Sequence, residues 1–184
     1  MLTSYLIQPA SAMRKHAGLL PECGGVYAML LDKPEALEPA LRRANLQLEP
    51  LRFGRRAILY IGATQDSLRT RVKRHLADET YVSTFRMSLG AVLAEQLGLK
   101  ARAIPGKRRF SFEPDSELRL SAWIQAHVSV AARLSVAPMD EEKSLIAAED
   151  PLLNIAGRRG DGVNVIVNLR HRMRGLPIDP KGLH

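Results

Sequence analysis

Apolar residues occur along the chain in two arrangements, as short continuous runs and at helical spacings. The runs at 24–31 and 57–62 adjoin glycines or basic residues and have the length of buried strands. A further stretch at 128–137 predicts a third strand, and "VNVIVNL" at 163–169 predicts one more. The chain therefore holds several candidate strands for one small sheet.

Helical spacing of apolar residues occupies most of the intervening sequence. The predicted helices lie within 32–56 and at 67–78, 83–99, 114–128 and 139–150. Asp66 or Ser67 is a candidate N-cap for the second helix, and the helix at 114–128 is expected to bury Leu118, Trp123 and Ile124. This order of elements predicts a small α/β or α+β domain whose sheet is covered by helices.

Length, charge and cysteine content narrow the class of protein. A chain of 184 residues is one domain or one domain with extensions. The net charge is +8 and the isoelectric point is near 10.1, which favours an anionic partner, nucleic acid above all. A generically basic protein is the alternative. The single cysteine, Cys23, and the lack of an evident signal peptide or membrane-spanning run indicate a soluble cytoplasmic protein.

One carboxylate stands where an apolar residue is expected. Glu142 precedes Leu145 and Ile146 by three and four residues, so it shares their inward helix face. A buried carboxylate is costly unless it is paired or binds a metal. Glu142 is therefore a candidate metal ligand, and a carboxylate paired with arginine at the rim of that face is the alternative.

Two pairs of polar side chains flank the second strand. Arg71 and His75 lie four residues apart and stack on one helix face, where they can reach the end of that strand. A solvated basic face is the alternative for both. Tyr27 and Tyr60 each lie in a strand beside a glycine. Two tyrosines near a basic helix and an inward glutamate predict an anion and metal site.

Four short motifs, in this order, resemble the GIY-YIG nuclease family. They are "GVY" at 25–27, "YIG" at 60–62, "LRTRVKRH" at 68–75 and "EKSLIAAEDPLLN" at 142–154. A fifth stretch, "STFRMSLGAVL" at 83–93, is similar to one in a poorly characterised bacterial branch of that family. The resemblance implies a small three-stranded antiparallel sheet flanked by helices.

The resemblance also divides the chain. It treats 1–184 as a single domain, with a nuclease core at 22–156 and a basic C-terminal extension at 157–184. Two departures from the family pattern stand out. The motif tyrosines are 33 residues apart, so 32–56 must form an insertion, expected to be helical. A basic residue that often follows the second motif is replaced by Ala63.

The family's site residues carry over by position. The resemblance gives catalytic roles to Tyr27, Tyr60, Arg71, His75, Glu142 and Asn154, and structural roles to Gly25 and Gly62. It implies metal-dependent hydrolysis of a DNA phosphodiester, with Mg²⁺ held by Glu142 and Mn²⁺ able to substitute. Arg71 would fork onto the phosphate. Tyr27, assisted by Tyr60, is the expected general base, and His75 is the alternative.

Further basic residues are expected to contact the nucleic acid, and the resemblance favours DNA over RNA. Those assigned are Arg69, Lys73, Arg74, Arg86, Lys107 and Arg108, with the rest of the loop 100–109 and with Arg158, Arg159, Arg170, Arg172 and Arg174. Two other classes stay open, a binding module that holds nucleic acid without cutting it and an interaction protein for an acidic partner.

Overall fold

The computed structural model of the chain describes residues 5–48, 56–158 and 162–176. Strands and helices are numbered here in chain order. The strands are β1 (Leu6–Pro9), β2 (Gly25–Leu31), β3 (Ala57–Thr64), β4 (Ala101–Ala103), β5 (Phe110–Phe112) and β6 (Val128–Leu134). The helices are α1 (Ala10–Lys15), α2 (Glu38–Ala44), α3 (Leu68–Leu76), α4 (Thr84–Leu93), α5 (Pro114–His127), α6 (Pro138–Glu149) and α7 (Gly162–Met173).

The main sheet is antiparallel and has the strand order β1-β6-β2-β3. The predicted α/β class is confirmed, and β2, β3 and β6 are the three expected strands. The sheet has one more strand than expected, because β1 pairs with the outer edge of β6. Its four residues are too few to give a sequence signal. A separate two-stranded sheet joins β4 to β5.

Residue alternation along β2 separates two hydrophobic cores. Tyr27, Met29 and Leu31 face the larger core, which α3, α4 and α5 cover. Ala28 and Leu30 face a smaller core beneath α6. Because both faces of the strand are buried, its sequence reads as a continuous apolar run.

A β-bulge changes the direction of the side chains in β3. The pairing with β2 shifts so that Met29 lies opposite Tyr60 whereas Leu30 lies opposite Ile58, which leaves Leu59 as the extra residue. Leu59 and Tyr60 both face the larger core as a result. The bulge thus places Tyr60 on the same face of the sheet as Tyr27.

The insertion between the first two motif strands is helical, as predicted. A 3₁₀ turn at Pro34–Ala36 leads into α2, which ends at Asn45 in the left-handed conformation. Leu37, Ala40 and Leu41 are buried in the larger core. Residues 49–55 of the predicted insertion lie outside the described residues.

Several other sequence-based boundaries need correction. The helix predicted at 83–99 ends at Leu93, and Leu118 is 57% exposed, so its predicted burial is wrong. The strand predicted from "VNVIVNL" is also wrong, since these residues lie in α7. The alternating valines have the spacing expected of a strand. The segment is nevertheless a helix, and the side of it that faces the larger core contains the buried Ile166.

In the parts of the chain described here, no helix is long and apolar enough to cross a bilayer.

Candidate active site

Strands β2 and β3 and helix α3 bring three predicted side chains together, those of Tyr27, Tyr60 and His75. The Tyr27 and Tyr60 rings lie 6.4 Å apart between centroids, and the His75 ring lies 5.4 Å from Tyr27 and 5.6 Å from Tyr60. Phe85 closes the group from α4, with its ring 6.0 Å from that of His75 and perpendicular to it. The aromatic rings therefore form one buried cluster at the motif strands.

The Tyr27 hydroxyl is the centre of the polar contacts in this cluster. It lies 2.7 Å from His75 Nε2, and Arg71 Nε donates to it at 3.3 Å. Arg71 and His75 reach the same oxygen because they are one helical turn apart on α3. The predicted convergence of Arg71 and His75 on the motif strands is therefore present.

A serine that the sequence analysis did not assign holds the other side of the histidine ring. His75 Nδ1 lies 2.7 Å from Ser83 Oγ, and both residues are buried. Ser83 is also the N-cap of α4, since its Oγ accepts from the Arg86 backbone N–H at 3.1 Å. A serine just before a helical run is the signal for the cap, but nothing in the sequence indicates its contact with His75.

Burial and positive charge set the protonation of this cluster. Burial, followed by the charges of Arg71, Arg86 and Arg74, lowers the pKa of His75 to about 3, so the imidazole is neutral at pH 7. Burial raises the pKa of Tyr27 far above its usual value, although Arg71 opposes that shift. The ground state is therefore a neutral phenol bonded to a neutral imidazole.

Two glycines are required by close approaches. Gly62 lies opposite Tyr27 in the sheet, and a Cβ there would collide with the Tyr27 hydroxyl and ring. A Cβ at Gly25 would meet the backbone oxygen of Arg133 and the Leu68 side chain. Steric exclusion of a Cβ thus explains why glycine is needed at both positions. The absence of a side chain at Gly62 leaves the space that the Tyr27 hydroxyl occupies.

Glu142 lies on α6 and lines a cleft of about 690 Å³ beside this cluster. Burial raises the pKa of its carboxyl, while a hydrogen bond from the Ala63 backbone and the charges of Arg71 and Lys143 lower it. The cleft lining also includes Tyr60, Thr84, Lys143, Asn154 and Arg170. Glu142 is thus half-buried beside the tyrosines, as its inward position in the sequence predicts.

Within 5–48, 56–158 and 162–176, no group of three or more His, Cys, Asp or Glu side chains could hold a metal ion. Glu142 is a single carboxylate in an open cleft. Mg²⁺ commonly keeps several water ligands and takes one or two carboxylates plus substrate phosphate. The residues present therefore fit Mg²⁺ and do not fit a site made wholly of protein ligands.

Asn154 acts on the backbone of β3. Its Oδ1 accepts from the Ile61 N–H and its Nδ2 donates to the Ile61 carbonyl, both at 2.9 Å. The backbone N–H of Leu153 donates to the Leu59 carbonyl at 2.8 Å. Asn154 lines the cleft but fixes the strand that carries Tyr60, which makes it a positioning residue in this structure.

Three of the arginines assigned to nucleic acid are occupied by other contacts. Arg86 is 0% exposed and forms a 2.7 Å ion pair with Glu117, so its assignment is wrong. Arg158 donates from Nε and Nη2 to the two carboxylate oxygens of Asp150, both at 2.7 Å, and its side chain is nearly buried. Its assignment to nucleic acid is therefore contradicted as well. Arg69 is half-buried and bonds Glu22 at 2.6 Å.

The other predicted nucleic-acid contacts fall into two groups. Exposed residues on the surface are Lys73, Arg74, Lys107, Arg108 and Arg172, and Arg174 is partly exposed. Arg170 lines the cleft itself, a position that its place in a basic tail does not reveal. Arg159 lies outside the described residues.

Comparison with known proteins identifies the class of this domain. The model of the GIY-YIG catalytic domain family matches residues 25–170, which include every motif described above. The chain belongs to this family, and it is therefore a member of a group of nucleases that act on nucleic acid. No curated protein and no solved structure matched the chain.

Proposed function

We propose that this protein is a divalent-metal-dependent endonuclease that hydrolyses phosphodiester bonds in DNA. The observation that carries the proposal is the meeting of His75 Nε2 and Arg71 Nε at the Tyr27 hydroxyl, beside the cleft of Glu142. A binding module would not need a hydroxyl placed between a neutral imidazole and a guanidinium. The proposed location is the cytoplasm.

Tyr27 and His75 act together as the general base in this mechanism. The Tyr27 oxygen accepts a proton from the attacking water while its own proton passes to His75 Nε2 at 2.7 Å. No free phenolate accumulates, so the raised pKa of Tyr27 does not prevent the reaction. In this mechanism Ser83 Oγ accepts a hydrogen bond from His75 Nδ1–H, which leaves Nε2 unprotonated and able to accept.

Substrate binding makes His75 a better proton acceptor. Part of the lowering of its pKa comes from the positive charges of Arg71, Arg86 and Arg74. A phosphate that enters beside Arg71 neutralises part of that field and raises the histidine pKa. The base is thus strongest when substrate is present.

Arg71 binds the phosphate that reacts. Its Nε is engaged by the Tyr27 hydroxyl, and no described acceptor bonds its two Nη nitrogens. A planar guanidinium with free nitrogens suits two phosphate oxygens at once. The contact to Tyr27 fixes the position of that phosphate relative to the attacking water.

Glu142 would hold the divalent cation. A bound Mg²⁺ or Mn²⁺ supplies stabilisation of negative charge on the phosphate and on the leaving 3′ oxygen. A cation would also offset the burial that raises the pKa of the Glu142 carboxyl. The exposed basic residues Lys73, Arg74, Lys107 and Arg108 are proposed to contact the DNA backbone.

Nicking of supercoiled plasmid tests the proposal, with Mg²⁺, Mn²⁺ or EDTA present. The wild type should nick DNA only with metal, and Glu142→Gln and Tyr27→Phe should each lose on the order of 100-fold or more in rate. Asp140→Asn, an exposed carboxylate on the same helix, and Tyr81→Phe are matched controls that should remain active. Salt-sensitive DNA binding without any cleavage would contradict the enzyme and favour a binding module.

A further inference from the structure

Arg170 is a half-buried cation without a carboxylate partner in the described parts of the chain. Its side chain lines the cleft of Glu142, and its Nη2 contacts Met87 Sδ at 3.7 Å. A thioether sulfur is a weak acceptor and carries no compensating charge. Most N–H donors of the half-buried Arg170 guanidinium therefore have no acceptor among the described residues.

Two more arginines add to this positive charge. Burial lowers the pKa of Arg170, and the charges of Arg109 and Arg174 lower it further. Arg109 is fixed in place because its Nη1 donates to the Tyr81 carbonyl at 2.8 Å. Like charges brought together near a cleft destabilise the folded chain unless an anion joins them. The arrangement therefore fits an anionic ligand better than a structural role.

The position of this cluster relative to Tyr60 identifies the ligand. Arg170 lines the same cleft as Tyr60 and Glu142. Arg71 on α3 contacts the Tyr27 hydroxyl, and the Tyr27 ring lies 6.4 Å from that of Tyr60. Tyr60 thus belongs both to the aromatic cluster that Arg71 contacts and to the cleft that Arg170 lines. A ligand that contacts both arginines must carry more than one anionic group, and the backbone of a nucleic acid strand does so.

We propose that Arg170, assisted by Arg109, forms a second phosphate-binding subsite that holds a phosphate neighbouring the scissile one on the cleaved strand. This rests on the proposed function. The subsite fixes the strand at a second point, so that the scissile phosphate meets Arg71 and the Tyr27–His75 pair in a defined orientation. Helix α7, which extends to Met173 just beyond the family match, contributes to substrate binding through this one side chain.

Binding measured in EDTA separates this subsite from catalysis. Oligonucleotides carrying one neutral methylphosphonate at successive positions report which phosphate each arginine needs. With wild-type protein, we expect neutral substitutions at the scissile position and at one neighbouring position to weaken binding about tenfold each. Arg170→Gln should weaken binding to unmodified DNA by a similar factor and reduce the salt slope by about one.

The decisive result is that Arg170→Gln loses its sensitivity to a methylphosphonate at one of the two positions. In Arg170→Gln the neighbouring position should become insensitive to neutralisation, while the scissile position stays sensitive. Arg42→Gln removes the same charge from an exposed pair on α2 and should behave like wild type. Arg170→Lys keeps the charge without the fork and should retain part of the affinity, and thermal melting confirms that each variant is folded.

Two outcomes would overturn the subsite. If Arg170→Gln binds like wild type with an unchanged salt slope, Arg170 does not hold a phosphate, and metal-dependent nicking by the wild type would still support the proposed function. If Arg170→Gln shows the same methylphosphonate profile as wild type, the arginine acts elsewhere. A wild-type protein that neither binds nor cuts nucleic acid would refute both proposals.

Discussion

At the scale of single residues, the site is a chain of hydrogen bonds through one histidine. Tyr27, His75 and Ser83 are joined by two contacts of 2.7 Å, and all three are buried. The two ring nitrogens of a histidine are not equivalent, because the partner of one decides which of them carries the proton. In the proposed mechanism Ser83 Oγ accepts from His75 Nδ1–H, and this contact favours the tautomer whose Nε2 accepts from the Tyr27 hydroxyl.

Replacing Ser83 tests this control of the tautomer. Ser83→Ala should lower the cleavage rate by on the order of 10- to 100-fold, because His75 is no longer held in the accepting form. DNA affinity in EDTA should not change. Loss of the cap of α4 also costs about 1 kcal/mol of stability.

Ser67 provides the control for that second effect. It caps α3 in the same way, since its Oγ accepts from the Thr70 N–H at 3.1 Å, and it does not contact His75. Ser67→Ala should lose similar stability and keep much more activity, and Ser83→Thr should restore part of the rate. Equal activity losses in Ser67→Ala and Ser83→Ala would exclude a special role for Ser83.

The buried histidine also predicts how stability depends on pH. The pKa of His75 is about 3 in the folded protein and near 6.5 when the chain unfolds. In this pH range His75 binds a proton in the unfolded state but not in the folded state. The free energy of unfolding therefore decreases as pH falls from about 6.5 toward 3. The slope contributed by this group is up to about 1.4 kcal/mol per pH unit.

Denaturant unfolding between pH 4 and pH 8 measures this slope. His75→Gln should flatten the curve below pH 6.5, whereas His16→Gln, which changes an exposed side chain, should not. An unchanged slope in His75→Gln would show that other groups cause the loss of stability in acid.

The sequence predicted the site residues that lie in regular patterns and missed those defined by packing. Tyr27, Tyr60, Arg71 and Glu142 stood out because polar groups sat at predictable positions on strands and helices. Ser83 reads as an ordinary cap, and Arg86 reads as a surface cation although it is fully buried. Only the three-dimensional contacts with His75 and Glu117 distinguish these cases.

At the scale of secondary structure, the irregularity of β3 is what assembles the tyrosines. The extra residue at Leu59 turns Tyr60 to the face of Tyr27, and Gly62 leaves space for the Tyr27 hydroxyl. Neither feature follows from hydrophobic periodicity, because "AILYIG" is apolar on both faces. The strand itself could be predicted, but its bulge could not.

A methyl group at Gly62 should disrupt this arrangement. In Gly62→Ala the Tyr27 ring must move, and the contact from its hydroxyl to His75 Nε2 is lost. The expected cost is about 1–3 kcal/mol of stability, as for overpacking in general, with cleavage nearly abolished. Rate and thermal unfolding are the measurements.

Gly18 is the matched control, because a Cβ there meets nothing within 4 Å. Gly18→Ala should change neither stability nor rate appreciably. A fully active Gly62→Ala would mean that Tyr27 tolerates displacement, which would argue against its role in the base.

At the scale of the whole molecule, one buried ion pair joins the parts that frame the site. Arg86 on α4 donates to Glu117 on α5 at 2.7 Å and to Ser121 at 2.9 Å. Glu117 also accepts from the backbone N–H of Thr80 at 2.9 Å and of Phe112 at 3.1 Å. The pair thus fixes the start of α4, where Ser83 meets His75.

Removal of one partner should be strongly destabilising. Glu117→Gln leaves Arg86 buried without its ion-pair partner, and we expect a loss of about 3–5 kcal/mol in the free energy of unfolding. Glu113→Gln breaks an exposed pair with Lys100 at 4.0 Å and should cost less than about 1 kcal/mol. Comparable losses in chemical denaturation of the two variants would show that burial does not strengthen the Arg86 pair.

The hydrogen bonds of Asn154 have a consequence for the behaviour of this protein in concentrated solution. β3 is an outer strand of the sheet, and an uncovered outer strand as apolar as "AILYIG" invites pairing with another chain. The Asn154 amide satisfies both backbone groups of Ile61, as a neighbouring strand would. The Asn154 side chain, which positions β3 in the site, therefore also reduces the tendency of this edge to pair with another chain and aggregate.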